Sequence, residues 1–110
     1  MKVLMVRAKI KEENVADSDA AVAKVIAALE QAQPAGVRYA TGKLSDGVTV
    51  VALLKLDDDG GHPLRGFPAY AEMVENLKQW YAEPPVVEQM TVVGSYGLFE
   101  NPGFPAPAQG

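Results

Sequence analysis

The chain has 110 residues, 48% of them hydrophobic and 22% charged, with a formal net charge of -4 at pH 7. This is the size and composition of a single globular domain, and the acidic balance without any run of Lys or Arg excludes nucleic acid and anionic membranes as partners. The lack of cysteine excludes disulfides, thiolate nucleophiles and zinc sites built on sulfur, and a lone histidine cannot form a multi-histidine metal site within one chain.

The first segment, "MKVLMVRAKIK", alternates in a way that predicts a β-strand, with Leu4, Val6, Ala8 and Ile10 on one side. Its apolar run is interrupted by Arg7 and Lys9 and is too short for the core of a signal peptide, so we expect a cytoplasmic protein.

Helical spacing follows the first strand and predicts a helix that ends at Pro34 and Gly36. Either Asn14 or Asp17 can supply the N-cap. The next segment, "GVRYATGKLSDGVTVVALLKL", predicts two strands joined by a tight turn at Ser45-Asp46-Gly47.

A loop over residues 57 to 66 precedes a second helix, from Phe67 or Pro68 to Ala82, which Pro84 and Pro85 stop. A last strand follows, "VVEQMTVVGSYGLF". We therefore predict one domain over residues 1–99 and a Pro-rich C-terminal tail over residues 100–110, which forms a mobile arm or a strap on another chain.

The order of elements predicts an α+β protein with a ferredoxin-like βαββαβ sandwich, in which two helices cover one face of a four-stranded antiparallel sheet. Both faces of the predicted strands are apolar, whereas a sheet with one solvated face normally alternates with polar residues. We therefore expect a homodimer in which two sheets pack face to face as an α+β barrel. The alternative is that these apolar residues are tolerated singly at the surface.

The hairpin sequence, the helix opening "FPAYAEMVENL" and the strand "EPPVVEQMTVVGSYGLF" together resemble the antibiotic-biosynthesis-monooxygenase-like family of dimeric α+β barrel proteins, over residues 1 to about 99. The resemblance implies the fold. It leaves the activity open, because this superfamily includes cofactor-independent oxygenases of polyketide phenols, haem-degrading enzymes, isomerases and stress-response proteins.

In the oxygenases of this family an Asn and a Trp, helped by a Tyr, hold an aromatic substrate. Asn76 and Trp80 resemble that pair and are the predicted catalytic residues, with Tyr81 or Tyr70 as helper. The chemistry implied needs no metal and no cofactor, since an electron-rich phenolate passes an electron to dioxygen. Haem degradation would require a histidine on the second helix, but His62 precedes that helix.

The same residues have structural interpretations. Trp80 lies at the edge of the apolar arc of its helix and Asn76 about 40° beyond, so the first can close a core and the second can be a solvated flank residue. His62 is either a substrate-binding base at the mouth of a pocket or a solvated loop residue. Tyr39, together with Tyr70 a candidate for substrate binding, faces either the pocket or a partner chain.

Two functions remain open from the sequence. The first is a cofactor-independent monooxygenase acting on a small aromatic or polyketide-like substrate. The second is a non-catalytic dimeric barrel that binds a small apolar ligand or serves a stress-response role. A cavity of at least ~300 Å³ between the second helix and the sheet is the feature that a ligand site needs.

Overall fold

A computed structural model describes residues 1–98, so Phe99 and the predicted tail over residues 100–110 lie outside the described residues. The elements in chain order are β1 (Lys2–Lys9), a 3₁₀ turn (Glu12–Asn14), α1 (Val15–Ala32), β2 (Tyr39–Lys43), β3 (Thr49–Lys55), α2 (Pro68–Trp80) and β4 (Val86–Thr91). Neither helix of this part of the chain is long and apolar enough to cross a membrane.

The strands form one antiparallel sheet in the order β2-β3-β1-β4. This is the ferredoxin-like βαββαβ arrangement, and the predicted fold class is confirmed. The central row of one face places Val6 opposite Ala52 on β3 and opposite Val87 on β4, and Ala52 in turn opposite Thr41 on β2.

The helix α1 begins and ends close to the predicted positions. Gln33 adopts the left-handed conformation, with φ 49°, and its N–H donates to the carbonyl of Leu29 at 2.8 Å, so the helix stops before Pro34. Asn14 occupies the N-cap position, but its backbone lacks the extended conformation of a capping residue and its amide donates to Asp17 instead, at 3.0 Å. The prediction of a side-chain cap is wrong at this end.

The turn between β2 and β3 is held by Asp46, as its sequence predicts. The carboxylate accepts the N–H groups of Val48 and Thr49 at 3.0 and 2.8 Å, and the Thr49 hydroxyl also donates to it. Gly47 has φ 76°, in the left-handed region that glycine adopts freely. The bonds from Thr49 and Val48 stabilise the charged form and lower the pKa of Asp46 to about 2.

The end of α2 is tied to the end of β1. The N–H of Lys11 donates to the carbonyl of Trp80, and the N–H of Ala82 donates to the carbonyl of Lys9, both at 2.8 Å. Between them Tyr81 forms an antiparallel bridge with the fully buried Ile10. These bonds fix the rotation of α2 about its own axis and therefore decide which of its side chains face the sheet.

The strand β4 is shorter than the sequence predicts, because it ends at Thr91 rather than continuing to residue 99. The physical reason is the register: Thr91 pairs with Lys2 at the start of β1, so beyond it there is almost no neighbouring strand to pair with. The residues that follow keep apolar side chains in solvent, with Val93 fully exposed and Tyr96 90% exposed.

Candidate functional site

A cavity of about 630 Å³ lies between the sheet and the two helices. Its floor is the helix-facing side of the sheet, where three rows of side chains run across β2, β3 and β1. The rows contain Tyr39, Leu54 and Leu4; Thr41, Ala52 and Val6; and Lys43, Val50 and Ala8.

The cavity exists because small side chains meet at its centre. Ala52 lies in the middle row of the floor, Ala8 lies in the next row, and Val22 and Ala23 face them from α1. None of these side chains extends far from its backbone, so the helices and the sheet enclose space that larger residues would fill. Val87 lines the cavity from the edge strand β4 and is 55% exposed, which places an opening on that side.

One face of α2 forms the opposite wall. Its lining residues recur at helical spacing within an arc of about 100°: Tyr70, Met73, Val74, Leu77 and Tyr81. The tie between the end of α2 and β1 holds this arc over the floor.

Four of the polar side chains that line the cavity come from residues that the sequence nominates. Tyr39, Tyr70, Tyr81 and His62 all line it. Burial raises the pKa of Tyr39 to about 12, with Tyr70 adding to the effect, and burial likewise raises the pKa of Tyr70 and of Tyr81. At neutral pH these hydroxyls are therefore protonated and can donate hydrogen bonds to a ligand.

His62 joins the cavity from the loop before α2. Its Nε2 lies 3.1 Å from the Tyr70 hydroxyl, and the two rings are tilted by 42° with their centroids 5.1 Å apart. Its Nδ1 accepts the backbone N–H of Leu64 at 3.3 Å. Partial burial, with a further contribution from Arg65, lowers the pKa of His62, so the ring is neutral at pH 7.

The cavity lining also includes an ion pair that sequence reasoning missed. The Nζ of Lys43 lies 2.7 Å from the Oδ2 of Asp19, and both residues line the cavity beside the buried Ser18. Lys43 lies four residues after Tyr39 on β2. Residues an even number of positions apart lie on the same face of a strand, and four positions correspond to about 13 Å along it. That spacing was the signal that could have placed Lys43 in the cavity.

Asn76 and Trp80 do not contribute to the cavity lining. Measured about the axis of α2 they lie about 120° and about 80° from Tyr70. Asn76 therefore lies between Trp80 and Glu72, and Glu72 is paired with Lys24 of α1 at 3.8 Å. The structure thus leaves the predicted catalytic pair outside the cavity lining, with Asn76 on the side of α2 that faces α1, and its catalytic role stays a prediction.

The residues of the cavity suit a mostly apolar ligand that carries a few oxygen atoms. Within residues 1–98 no three His, Asp or Glu side chains come together as a metal site would require. The fold and the cavity together define a ferredoxin-like α+β protein with a ligand-sized space between its sheet and its helices.

Comparison with solved structures shows which proteins share this fold. The chain superposes on the crystal structure of an antibiotic biosynthesis monooxygenase with a TM-score of 0.71 and 14% identity, covering 86% of this chain and 100% of the other. A proposed antibiotic biosynthesis monooxygenase from Nitrosomonas europaea gives a TM-score of 0.71 at 15% identity, with 86% and 100% of the two chains covered.

SnoaB from Streptomyces nogalater, a cofactor-independent oxygenase solved as an asparagine-to-alanine variant, gives a TM-score of 0.62 at 18% identity, over 86% of this chain and 95% of its own. No protein-family model matches the sequence, and no curated protein matches it either. The predicted structural resemblance to antibiotic-biosynthesis-monooxygenase-like proteins is therefore confirmed at the level of the fold.

Proposed function

We propose that this protein is a cofactor-independent monooxygenase-like protein that binds a small aromatic, polyketide-like substrate in the cavity between sheet and helices. The observation that carries the proposal is the cavity itself. At about 630 Å³ it falls in the range of small-molecule sites, and its mostly apolar wall includes tyrosine hydroxyls and an imidazole. The fold shared with SnoaB adds support.

The chemistry requires little of the protein beyond positioning and charge stabilisation. An anthrone loses a proton to give an electron-rich anion, which transfers an electron to dioxygen. Recombination of the radical with superoxide gives a peroxide anion, which takes back the proton to become a hydroperoxide, and loss of water leaves a quinone, so that one anthrone and one dioxygen yield one quinone and one water. The neutral hydroxyls of Tyr39, Tyr70 and Tyr81 can stabilise the oxyanion of the first step.

The proposal includes a homodimer. Val86 and Met90 are exposed on the sheet face that points away from the helices, and Val93, Tyr96 and Leu98 follow β4 with most of their surface in solvent. An interface of standard size buries about 800 Å² per chain, which at ~25 cal/mol per Å² supplies about 20 kcal/mol before the costs of association. Apolar surface of this kind favours a second copy as its cover.

A second candidate function is a non-catalytic barrel that binds a small apolar ligand or serves a stress-response role. The observation that favours it is the position of Asn76 and Trp80, which lie outside the cavity lining. Both candidates use the same cavity and differ only in whether dioxygen is consumed.

The test is oxygen consumption with anthrone in the presence of a metal chelator. We expect the wild-type protein to consume one dioxygen per anthrone above the uncatalysed rate, and Tyr81→Phe to lower the rate about 100-fold or more, the size of effect expected for one lost oxyanion donor. Tyr96→Phe, which lies outside the cavity, is the matched control.

The same assay tests the predicted catalytic pair. Loss of oxygen consumption in Asn76→Ala and Trp80→Phe would support their role, and unchanged turnover in both would remove it. A protein that binds aromatic ketones but never consumes dioxygen above the blank would overturn the monooxygenase proposal in favour of the second candidate.

A further inference from the structure

The His62–Tyr70 pair fixes the position of a proton. The backbone N–H of Leu64, a residue with no exposed surface, donates to Nδ1 of His62 at 3.3 Å. A neutral imidazole carries one proton, so a ring whose Nδ1 accepts a hydrogen bond carries that proton on Nε2. The other tautomer would direct two N–H groups at each other and leave the Leu64 amide without this acceptor.

The tautomer determines the direction of the next hydrogen bond. Nε2 of His62 lies 3.1 Å from the Tyr70 oxygen, and since Nε2 carries the proton, the imidazole donates and the phenol accepts. The phenolic hydrogen of Tyr70 is then not used by His62. It is available to a third group.

The third group must lie in the cavity, since Tyr70 lines it together with the apolar side chains of Leu54, Met73 and Leu77. Tyr70 is only half-buried, so in the empty cavity water accepts this hydrogen bond. A hydrocarbon that displaces the water leaves the donor without an acceptor, at a cost of about 1–3 kcal/mol, whereas a ligand oxygen accepts the hydrogen bond. A site built around a fixed hydrogen-bonding group rejects analogues that lack the complementary atom.

We propose that Tyr70 is a specificity-determining residue that donates its hydroxyl hydrogen to a carbonyl or phenolic oxygen of the ligand, and that His62 is the positioning residue that orients this hydroxyl. The substrate class is therefore an aromatic ketone or phenol rather than an aromatic hydrocarbon. This inference rests on the proposed ligand-binding function of the cavity and adds to it the chemical group that is recognised.

The tautomer is measured first and without any ligand. His62 is the only histidine of the chain, so a two-bond ¹H–¹⁵N correlation spectrum of the uniformly labelled protein contains a single imidazole pattern. At a pH above the pKa of the ring we expect the pattern of the Nε2–H tautomer. A pattern of the Nδ1–H tautomer, or one averaged between the two, would overturn the inference.

Recognition is measured with a matched pair of probes, α-tetralone and tetralin, which share a bicyclic skeleton and differ in one ketone oxygen. We expect the wild-type protein to prefer α-tetralone, and Tyr70→Phe to reduce that preference by about three- to tenfold, the net value of one hydrogen bond. His62→Leu is expected to reduce it in the same direction, and Tyr96→Phe to leave it unchanged. Because both probes are titrated into the same variant, a general loss of stability cancels in the ratio.

The outcomes separate this inference from the function on which it rests. If both probes bind wild-type protein but with equal affinity, or if the preference survives Tyr70→Phe, the assignment of Tyr70 is overturned while the cavity remains a ligand site. If neither probe binds, the proposed function fails, and the inference fails with it. Binding that prefers α-tetralone and loses the preference in both variants supports it, whether or not dioxygen is consumed.

Discussion

The substitution Ala52→Ile tests whether the cavity is space that the fold encloses. Ala52 is at the centre of the floor, opposite Thr41 on one side and Val6 on the other. Its side chain points toward the helices and lines the cavity. Isoleucine suits a strand, and it adds three carbon atoms at the point where the residues around it are smallest.

The expected magnitude follows from these three carbons. Each buried methylene contributes about 0.8 kcal/mol, so full burial would add about 2.4 kcal/mol, and fixing the side chain costs about 0.5–1 kcal/mol. We therefore expect the free energy of unfolding to increase by about 1.5 kcal/mol, which corresponds to a rise in Tm of about 6–12 °C for a chain of this size. Binding of α-tetralone should weaken, because the new side chain occupies part of the site.

The assay is urea unfolding at a fixed protein concentration, followed by far-UV circular dichroism, together with the probe titration. Gln89→Ile is the control, since Gln89 is an exposed residue of β4 that lies outside both the cavity lining and the proposed dimer face. It tests strand propensity without filling the cavity, and it should change the free energy of unfolding by no more than about 0.5 kcal/mol.

A destabilised Ala52→Ile protein would refute the reasoning. Inserting carbon atoms into a well-packed core costs about 1–3 kcal/mol through strain, so a decrease of that size would mean that the space is already filled. Unchanged affinity for α-tetralone would be equally damaging, because the ligand would then bind elsewhere.

Two further predictions concern the surface of the chain. Met90→Glu places a charge on the exposed sheet face and should raise the dissociation constant of the proposed dimer at least about tenfold, as measured by sedimentation velocity. Leu44→Glu, at the hairpin turn, is the control and should leave the dissociation constant unchanged. An unchanged mass for both variants would contradict a dimer formed through this face. Asp46→Asn should reduce stability above pH 4 and abolish the part of the pH dependence that Asp46 contributes. Because the pKa of Asp46 is lowered from 3.8 to about 2, its contribution to the free energy of unfolding is present above pH 3.8 and is lost as the pH falls toward 2. Identical urea midpoints for the wild-type protein and the variant across that range would refute the role of this carboxylate.

The fold was predictable because its signals are local. The turn residues Asp46 and Gly47 act within a few positions of themselves, and the alternation of β1 and the helical spacing of α1 are read within one element. The end of β4 was not predictable in this way. It depends on where β1 begins, since Thr91 pairs with Lys2, and no pattern within β4 records the length of its neighbour.

The candidate site was predictable only in part. Tyr70 and Tyr81 share one helix face by their spacing, and Tyr39 shares a strand face with Lys43, so their sides could be read from the sequence. The position of His62 could not be predicted from the sequence, because it depends on how the loop before α2 folds back to bring Nε2 within 3.1 Å of the Tyr70 hydroxyl. A loop carries no periodic signal from which such a contact could be inferred.

The placement of Asn76 and Trp80 shows why spacing along a helix does not by itself define a site. Their separation of one turn matches the pair expected from the resemblance, and the helix α2 that carries them does form a wall of the cavity. Which arc of α2 faces the sheet is decided by its end, where Tyr81 pairs with Ile10 and the carbonyl of Trp80 accepts the N–H of Lys11. That tie turns Tyr70 and Tyr81 toward the floor. The same rotation directs Asn76 toward α1, so the polar groups that α2 and its C-terminal end present to the cavity are the phenols of Tyr70 and Tyr81 rather than an amide and an indole.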